Sequence, residues 1–346
     1  MLNSKKTKEY LVIGGGHQGL TMAAHFSLNG EKVNLWNRTL ENIQTVYETK
    51  KIHCAGEIEG TATVNMVSTD IDDVWTDIIM VTTPAIAHKD IARIIAHKVT
   101  DNTIIILNPG RTLGAMEFKE QLKKAGCIHN PKIAETQTIV YTCRRDLSNG
   151  VTIFALKKDV MIAALNNDYI DKVMEAIPEC IRSNFQIEDS IIKTSFGNIG
   201  MILHCAPVLM NIGWIESQVA EFEYYYDGIS KSVARFLEKM DLERLSVAKA
   251  LGYDLESTKD WLKRSYGVDG TSLYECISEN IHYKGIYAPK STNHRYIEED
   301  IPCGLVPLEY VAKQKGIETP LTTLIIDMAN AIMEKDYRDI GRRYKI

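Results

Sequence analysis

Short apolar runs of strand length punctuate the first half of the chain: Tyr10–Ile13, Lys32–Trp36, Ile78–Thr82, Thr103–Leu107, Lys132–Ala134 and Val151–Ala155. Helical patterns lie between several of them, such as Ile86–His97 and Gly114–Ala125. This alternation predicts an α/β domain with a parallel, doubly wound sheet. After about residue 188 the pattern changes. Ser190–Glu216, Gly228–Leu251, Leu255–Tyr266, Ser272–Asn280, Leu305–Lys315 and Thr319–Lys335 all read as helices, and strand signals nearly vanish. The expected organisation is a first domain over 1–188 and a mostly α-helical second domain over 189–346, with the active site in the cleft between them.

The first apolar run leads straight into Gly14-Gly15-Gly16-His17-Gln18-Gly19, and a helix-competent stretch follows. Glycine at the first position permits a tight turn, at the second a close approach to a pyrophosphate, and at the third close packing of helix on strand. The helix N-terminus then faces the anion. In this strand–turn–helix context G-x-G-x-x-G marks a dinucleotide site, so the first domain is expected to be a Rossmann domain. Two further strands end in open loops, Val81-Thr82-Thr83-Pro84-Ala85 and Leu107-Asn108-Pro109-Gly110-Arg111, suited to a ligand at the carboxyl edge. The cofactor-binding expectation covers Gly14 to Gly19, Thr83 and Pro84, together with the end of the second strand. No acid lies between Val33 and Leu40 to accept from a ribose 2′-OH. Asn37, Arg38 and Thr39 stand there instead, and a guanidinium can hold a 2′-phosphate. NADP is therefore the expected cofactor, with NAD the alternative.

Composition narrows the classes. Of 346 residues, 45% are hydrophobic and 25% charged, with a formal net charge of −5, which is ordinary for a globular protein with a sizeable core. No basic cluster points to a nucleic-acid partner. The segment before the first strand has no apolar h-region, and no run reaches membrane-spanning length, so neither export nor a membrane partner is expected. Seven scattered cysteines without a C-x-x-C pair read as free thiols in a reducing cytoplasm, with no metal site. A homodimer is compatible with this composition.

Hydride transfer with a nicotinamide needs a proton carrier, and an acidic substrate needs cations. The second domain is expected to supply both. Asn198 and His204 sit in the otherwise apolar Asn198–Glu216, which Pro207 should kink. A lone buried histidine is usually a core residue. A second segment, His294-Arg295-Tyr-Ile-Glu298-Glu299-Asp300-Ile-Pro302-Cys-Gly304, offers an alternative. Its acids serve either a helix N-terminus, or one of them orients the histidine while Arg295 clamps a carboxylate.

These pieces together resemble the octopine/nopaline (opine) dehydrogenases over nearly the whole chain. The marks are Gly14-x-Gly16-x-x-Gly19; Asn108-Pro109-Gly110-Arg111; Ala134-Glu135-Thr136 with Cys143-Arg144; Asn198 with His204-x-x-Pro207; and Arg295 with Glu299-Asp300-Ile301-Pro302 and Gly304-Leu305-Val306-Pro307. The resemblance implies a Rossmann domain followed by a helical opine-dehydrogenase domain. It implies a catalytic pair at His204 and Asp300, with Arg295 near the keto acid and Asn198 beside the substrate. Arg144 and Arg111 are weaker cation candidates. The pair is expected to meet across the domain cleft. The implied reaction condenses an α-keto acid with the amino group of an amino acid and reduces the imine, giving an N-(carboxyalkyl)amino acid.

Two other readings keep the architecture. A ketone reductase of the ketopantoate reductase or glycerol-3-phosphate dehydrogenase type would rely on a central lysine, and none lies in Asn198–Glu216. A non-catalytic NADP sensor would have no reason to pair His204 with Asp300.

Overall fold

Strand β1 (Glu9–Ile13) is apolar on both sides because both of its faces are covered. In the computed structural model, which describes residues 8–146, 150–217 and 221–346, Tyr10 and Val12 enter one buried cluster with Leu20 and Phe26. Leu11 and Ile13 enter another with Val81, Leu107 and Phe118. Alternate residues thus serve opposite faces of a central strand, as in a sheet covered by helices.

The remaining strands are β2 (Lys32–Trp36), β3 (Lys51–Gly56), β4 (Gly60–Thr63), β5 (Met66–Ser68), β6 (Ile78–Val81), β7 (Ile104–Leu107), β8 (Lys132–Thr136), β9 (Tyr141–Arg145), β10 (Val151–Leu156), β11 (Val160–Ala164) and β12 (Phe185–Ile187). The main sheet runs β12-β11-β8-β7-β6-β1-β2-β5. Its neighbours are parallel except β11, which is antiparallel to β8. β1 lies between β2 and β6, so the strand order reverses beside it. The carboxyl end of β1, where the glycines stand, is therefore the switch point at which open α/β sheets bind ligands.

One expected member of this sheet lies elsewhere. The 151–155 run forms β10 of a second sheet, β4-β3-β10-β9. There it is parallel to β3 and antiparallel to β9. Phe154 is 55% exposed, which a strand covered on both faces would not allow.

The described residues divide into compact units after Thr194, within the helix Ile191–Phe196. The continuous helix expected over 190–216 is broken into Ile191–Phe196, Gly200–Met210 and Ile212–Ser217. The breaks fall at Gly197-Asn198 and at Asn211, whose backbone leaves the helical region. Further helices of the second unit include Lys231–Ala250, Thr258–Tyr266, Leu273–Glu279, Arg295–Glu298, Val306–Lys315 and Pro320–Met333. The long helix Lys231–Ala250 starts at a Ser230 cap and buries Ala234, Leu237, Met240, Asp241, Arg244, Val247 and Ala248 at helical spacing. Arg244 is buried at no loss of pairing: it donates to Asp241, to the Phe196 carbonyl and to the Glu256 carbonyl. All seven cysteines are free thiols. Among the described residues no helix is long and apolar enough to cross a membrane. No group of three or more His, Cys, Asp or Glu among them is placed to hold a metal ion.

Candidate active site

The glycine turn of the first unit is shaped for an anion. Gly14 has φ +116°, a conformation that side chains rarely adopt. Its N–H donates to the Trp36 carbonyl at 2.8 Å, which ties the turn to β2. A Cβ at Gly19 would lie 1.7 Å from the Gly14 carbonyl oxygen, so only glycine lets the helix His17–Leu28 sit on the turn. A Cβ at Gly16 would meet nothing within 4 Å. The helix has no side-chain cap and no acid in its first turn among the described residues, so the positive end of its dipole is uncompensated. The open space and this helix end together fit a dinucleotide pyrophosphate.

Around the turn, Asn37 accepts from Gly15 N–H at 2.9 Å and donates to the Thr39 carbonyl at 2.7 Å. Arg38 is 69% exposed, with Nη1 3.8 Å from Asp90. Thr83 flanks Gly14, while Thr82 donates to the Ile13 carbonyl at 2.9 Å. Gln18 turns inward, its amide donating to the Tyr141 carbonyl and to Cys143 Sγ. Its side chain therefore serves β9. Burial pushes the Cys143 thiol up, which keeps it protonated. Arg145 also stands beside the glycine turn, although nothing in its sequence marks it. Its Nη1 donates to the Gly15 carbonyl at 2.9 Å, and its backbone N–H donates to His17 Nδ1 at 2.8 Å. The fingerprint thus carries a cation from β9 as well as the one after β2. Of the two weaker candidates, Arg144 is exposed on β9 and Arg111 is buried.

The second unit pairs a histidine with a buried carboxylate. His204 lies on Gly200–Met210, and Asp300 opens a π-type turn, Ile301–Leu305, in which Leu305 N–H donates to the Asp300 carbonyl. His204 Nδ1 and Asp300 Oδ2 are 2.7 Å apart, with the side chains 14% and 0% exposed. Sequence reasoning puts this pair across an interdomain cleft. The structure corrects that: both side chains belong to the second unit, because the 200–210 helix packs directly on the 301–305 turn. Gly304 sets that approach, since a Cβ there would lie only 2.8 Å from the Met201 Cβ.

A carboxylate only accepts, so its partner Nδ1 carries the proton, and Nε2 is the end that can exchange one. Tyr225 Oη lies 3.5 Å from Nε2. The Tyr296 ring stacks on the imidazole at 3.9 Å and 15°. Tyr225 stacks in turn on Tyr283 at 3.8 Å. Burial raises the Tyr224, Tyr225 and Tyr283 phenols well above their ordinary value, so this aromatic wall is neutral. His294, which caps Arg295–Glu298 through Tyr296 N–H, is held below its ordinary pKa by burial and then by the charges of Arg295 and His204. Arg295 is 50% exposed, its Nε 3.5 Å from Glu299. Asn198 is buried just before the His204 helix.

Comparison with known proteins finds matches for both units. Residues 187–333 match the family model of the NAD/NADP octopine/nopaline dehydrogenase alpha-helical domain. Residues 10–164 match that of ketopantoate reductase PanE/ApbA. The opine dehydrogenase of Arthrobacter sp. (strain 1C) is 33% identical over 340 residues, covering 97% of this chain and 94% of that protein. Octopine dehydrogenase solved with NADH and L-arginine superposes with a TM-score of 0.79 at 19% identity, over 95% of this chain and 90% of that one. Yersinopine dehydrogenase with NADP+ gives 0.78 at 12% identity, over 96% and 92%.

Proposed function

The chain belongs to the opine dehydrogenase family, and from that premise we propose that His204 and Asp300 form its acid–base pair. The protein is an NAD(P)H-dependent oxidoreductase acting on CH–NH donors. It condenses an α-keto acid with the amino group of an amino acid, and the product is an N-(carboxyalkyl)amino acid. The observation that carries the assignment of roles is the 2.7 Å contact between the imidazole and a fully buried carboxylate.

The chemistry follows from that contact. Amine and ketone form a carbinolamine, which must lose hydroxide as water before the C=N bond exists. His204 Nε2 takes a proton from the substrate ammonium, so that the free amine can attack the ketone, and then returns it to the departing hydroxide. Asp300 holds the imidazole plane and stabilises the imidazolium when it forms. Tyr296, stacked on the ring, prevents it from rotating away. Arg295, partly exposed, is the proposed clamp for a substrate carboxylate, and Asn198 a proposed substrate contact. When bound, a nicotinamide cofactor would supply the hydride that reduces the C=N bond. Gly14 to Gly19 would hold its pyrophosphate, with Thr83 and Pro84 alongside. Arg38, with Asn37 and Thr39, supports a preference for NADP over NAD, because the end of β2 carries no acid to accept from a ribose 2′-OH, and the exposed guanidinium, 3.8 Å from Asp90, can turn to a 2′-phosphate. The free thiols fit a cytoplasmic setting.

An NADPH-oxidation screen of amino acids against pyruvate, 2-oxoglutarate and related keto acids tests this function. Oxidation is expected only when both co-substrates are present. Brisk oxidation with a keto acid alone, yielding a hydroxy acid, overturns it.

A further inference from the structure

In a regular helix the carbonyl of residue 203 accepts the N–H of residue 207. Residue 207 here is proline, inside the helix Gly200–Met210. It has no N–H, and its ring pushes against the carbonyl four residues back. That carbonyl belongs to Leu203, which is buried. A buried carbonyl without a donor is costly, so the missing partner must come from elsewhere.

Tyr224 supplies it. Its Oη lies 3.2 Å from the Leu203 carbonyl and 2.7 Å from the His204 carbonyl, so one phenolic proton is shared between two successive carbonyls of the turn before Pro207. Tyr224 is itself buried, and its ring packs on the Tyr296 ring at 5.1 Å. Tyr296 is the ring stacked on the His204 imidazole. One side chain therefore touches the backbone of His204 and the ring that covers its imidazole.

We propose that Tyr224 is a positioning residue for His204: it replaces the donor that Pro207 removes and so fixes the helical turn that aims the imidazole at Asp300. The inference rests on the reading of His204 as proton carrier. It gives the His204-x-x-Pro207 spacing a physical meaning. The proline leaves the Leu203 carbonyl without its helical donor, and the Tyr224 hydroxyl, from the 221–229 segment, reaches it and the next carbonyl. Tyr224 does no chemistry itself.

The test compares Tyr224→Phe, Pro207→Ala, the double variant and His204→Ala in the full-length enzyme, each well below its melting temperature. Tyr224→Phe keeps the ring and deletes the shared proton. It should lower kcat about tenfold, within the cost of a sub-ångström misplacement. KM for both co-substrates and Kd for NADPH should change by no more than about twofold, because the groups that bind them are untouched. Adding Pro207→Ala returns an N–H to the Leu203 carbonyl and should recover most of the lost kcat, a coupling that independent sites would not show. Parental kcat in Tyr224→Phe overturns the proposal. So does a loss that the double variant, folded, fails to relieve. If Tyr224→Phe alone does not fold, the double variant decides, since activity in it supports the proposal and inactivity in a folded protein refutes it. A His204→Ala enzyme with normal turnover would instead sink the assignment of His204, whereas a dead His204→Ala beside an unimpaired Tyr224→Phe sinks only this inference.

Discussion

Gly304→Ala inserts one methyl group between the two segments that carry the proposed acid–base pair, His204 and Asp300. The new Cβ would lie 2.8 Å from the Met201 Cβ, where ordinary contact begins at 3.4 Å. The 200–210 helix and the 301–305 turn must therefore part by about 0.6 Å, because tightly packed interiors have no slack to absorb it. The clash is with Cβ, so a different Met201 rotamer gives no relief. Met201 precedes His204 by one helical turn, and Gly304 follows Asp300 by about one. The separation is therefore transmitted to the 2.7 Å contact, stretching it to about 3.3 Å, beyond the normal N–H···O range. Overpacking costs about 1–3 kcal/mol of stability. A displacement near 1 Å costs up to about 10²-fold in rate, so a loss of about tenfold in kcat, or about 1.4 kcal/mol in barrier, is expected here. Thermal melts and steady-state kinetics with saturating NADPH measure both. Met201→Gly in the same background removes the offending atom and should restore part of the rate. Full kcat together with an unchanged Tm in Gly304→Ala would refute the claim that this glycine sets the pair.

Asp300→Asn retains the shape but can present the wrong tautomer, so kcat should fall by about 10²–10⁴; combined with His204→Ala the losses should not add, and additive losses would mean the two act separately. Arg38→Asp should reverse or erase the preference for NADPH, an expectation ruled out by equal kcat/KM for NADPH and NADH in the parent enzyme. Arg145→Gln should weaken NADP+ and NAD+ by similar factors, as expected of a cation at the shared phosphate turn, while a loss confined to NADP+ would move it to the 2′-phosphate. Burial holds buried His25 near a pKa of about 4, below the ordinary 6.5. The unfolded chain therefore takes up this proton first, so stability is complete above about pH 6.5 and is lost as the pH falls towards 4, by about 3 kcal/mol. Urea melts across that window should show the loss, and His25→Gln should lack this component; an equal loss in the variant assigns it to other groups.

The parallel core was legible because its strands are apolar on both faces and end in turn residues, as β1 and β6 do. The second sheet was not, although β3 offered a signal. Lys51 and His53 point out while Ile52 and Cys54 point in, an alternation of period two over too few residues to stand out from a helix end. His204 and Asp300 were visible through residue type and resemblance; Pro207 was visible as an interruption, yet the helix Gly200–Met210 runs through it. Their location within one unit was hidden, because periodicity places a residue on a helix face but does not say which helix that face meets. Tyr224 had no signal at all in the run Tyr224-Tyr225-Tyr226. Its role depends on a carbonyl some twenty residues earlier that only the folded backbone brings within reach. Arg145 likewise gains its meaning from β9 lying against the glycine turn.

Redesign of cofactor choice meets a mechanical constraint in Asn37. An obvious route to an NAD-selective enzyme places an acid at the end of β2, and here that position is already a rivet between the glycine turn and the loop after β2. An aspartate at 37 could still accept from Gly15 N–H. Its second oxygen, however, would face the Thr39 carbonyl at the distance where an amide now donates, 2.7 Å. Two acceptors in that position repel, and the loop carrying Arg38 would be pushed off its seat before the new acid met a ribose. Engineers who want to change the nucleotide should leave residue 37 alone and work one position further on.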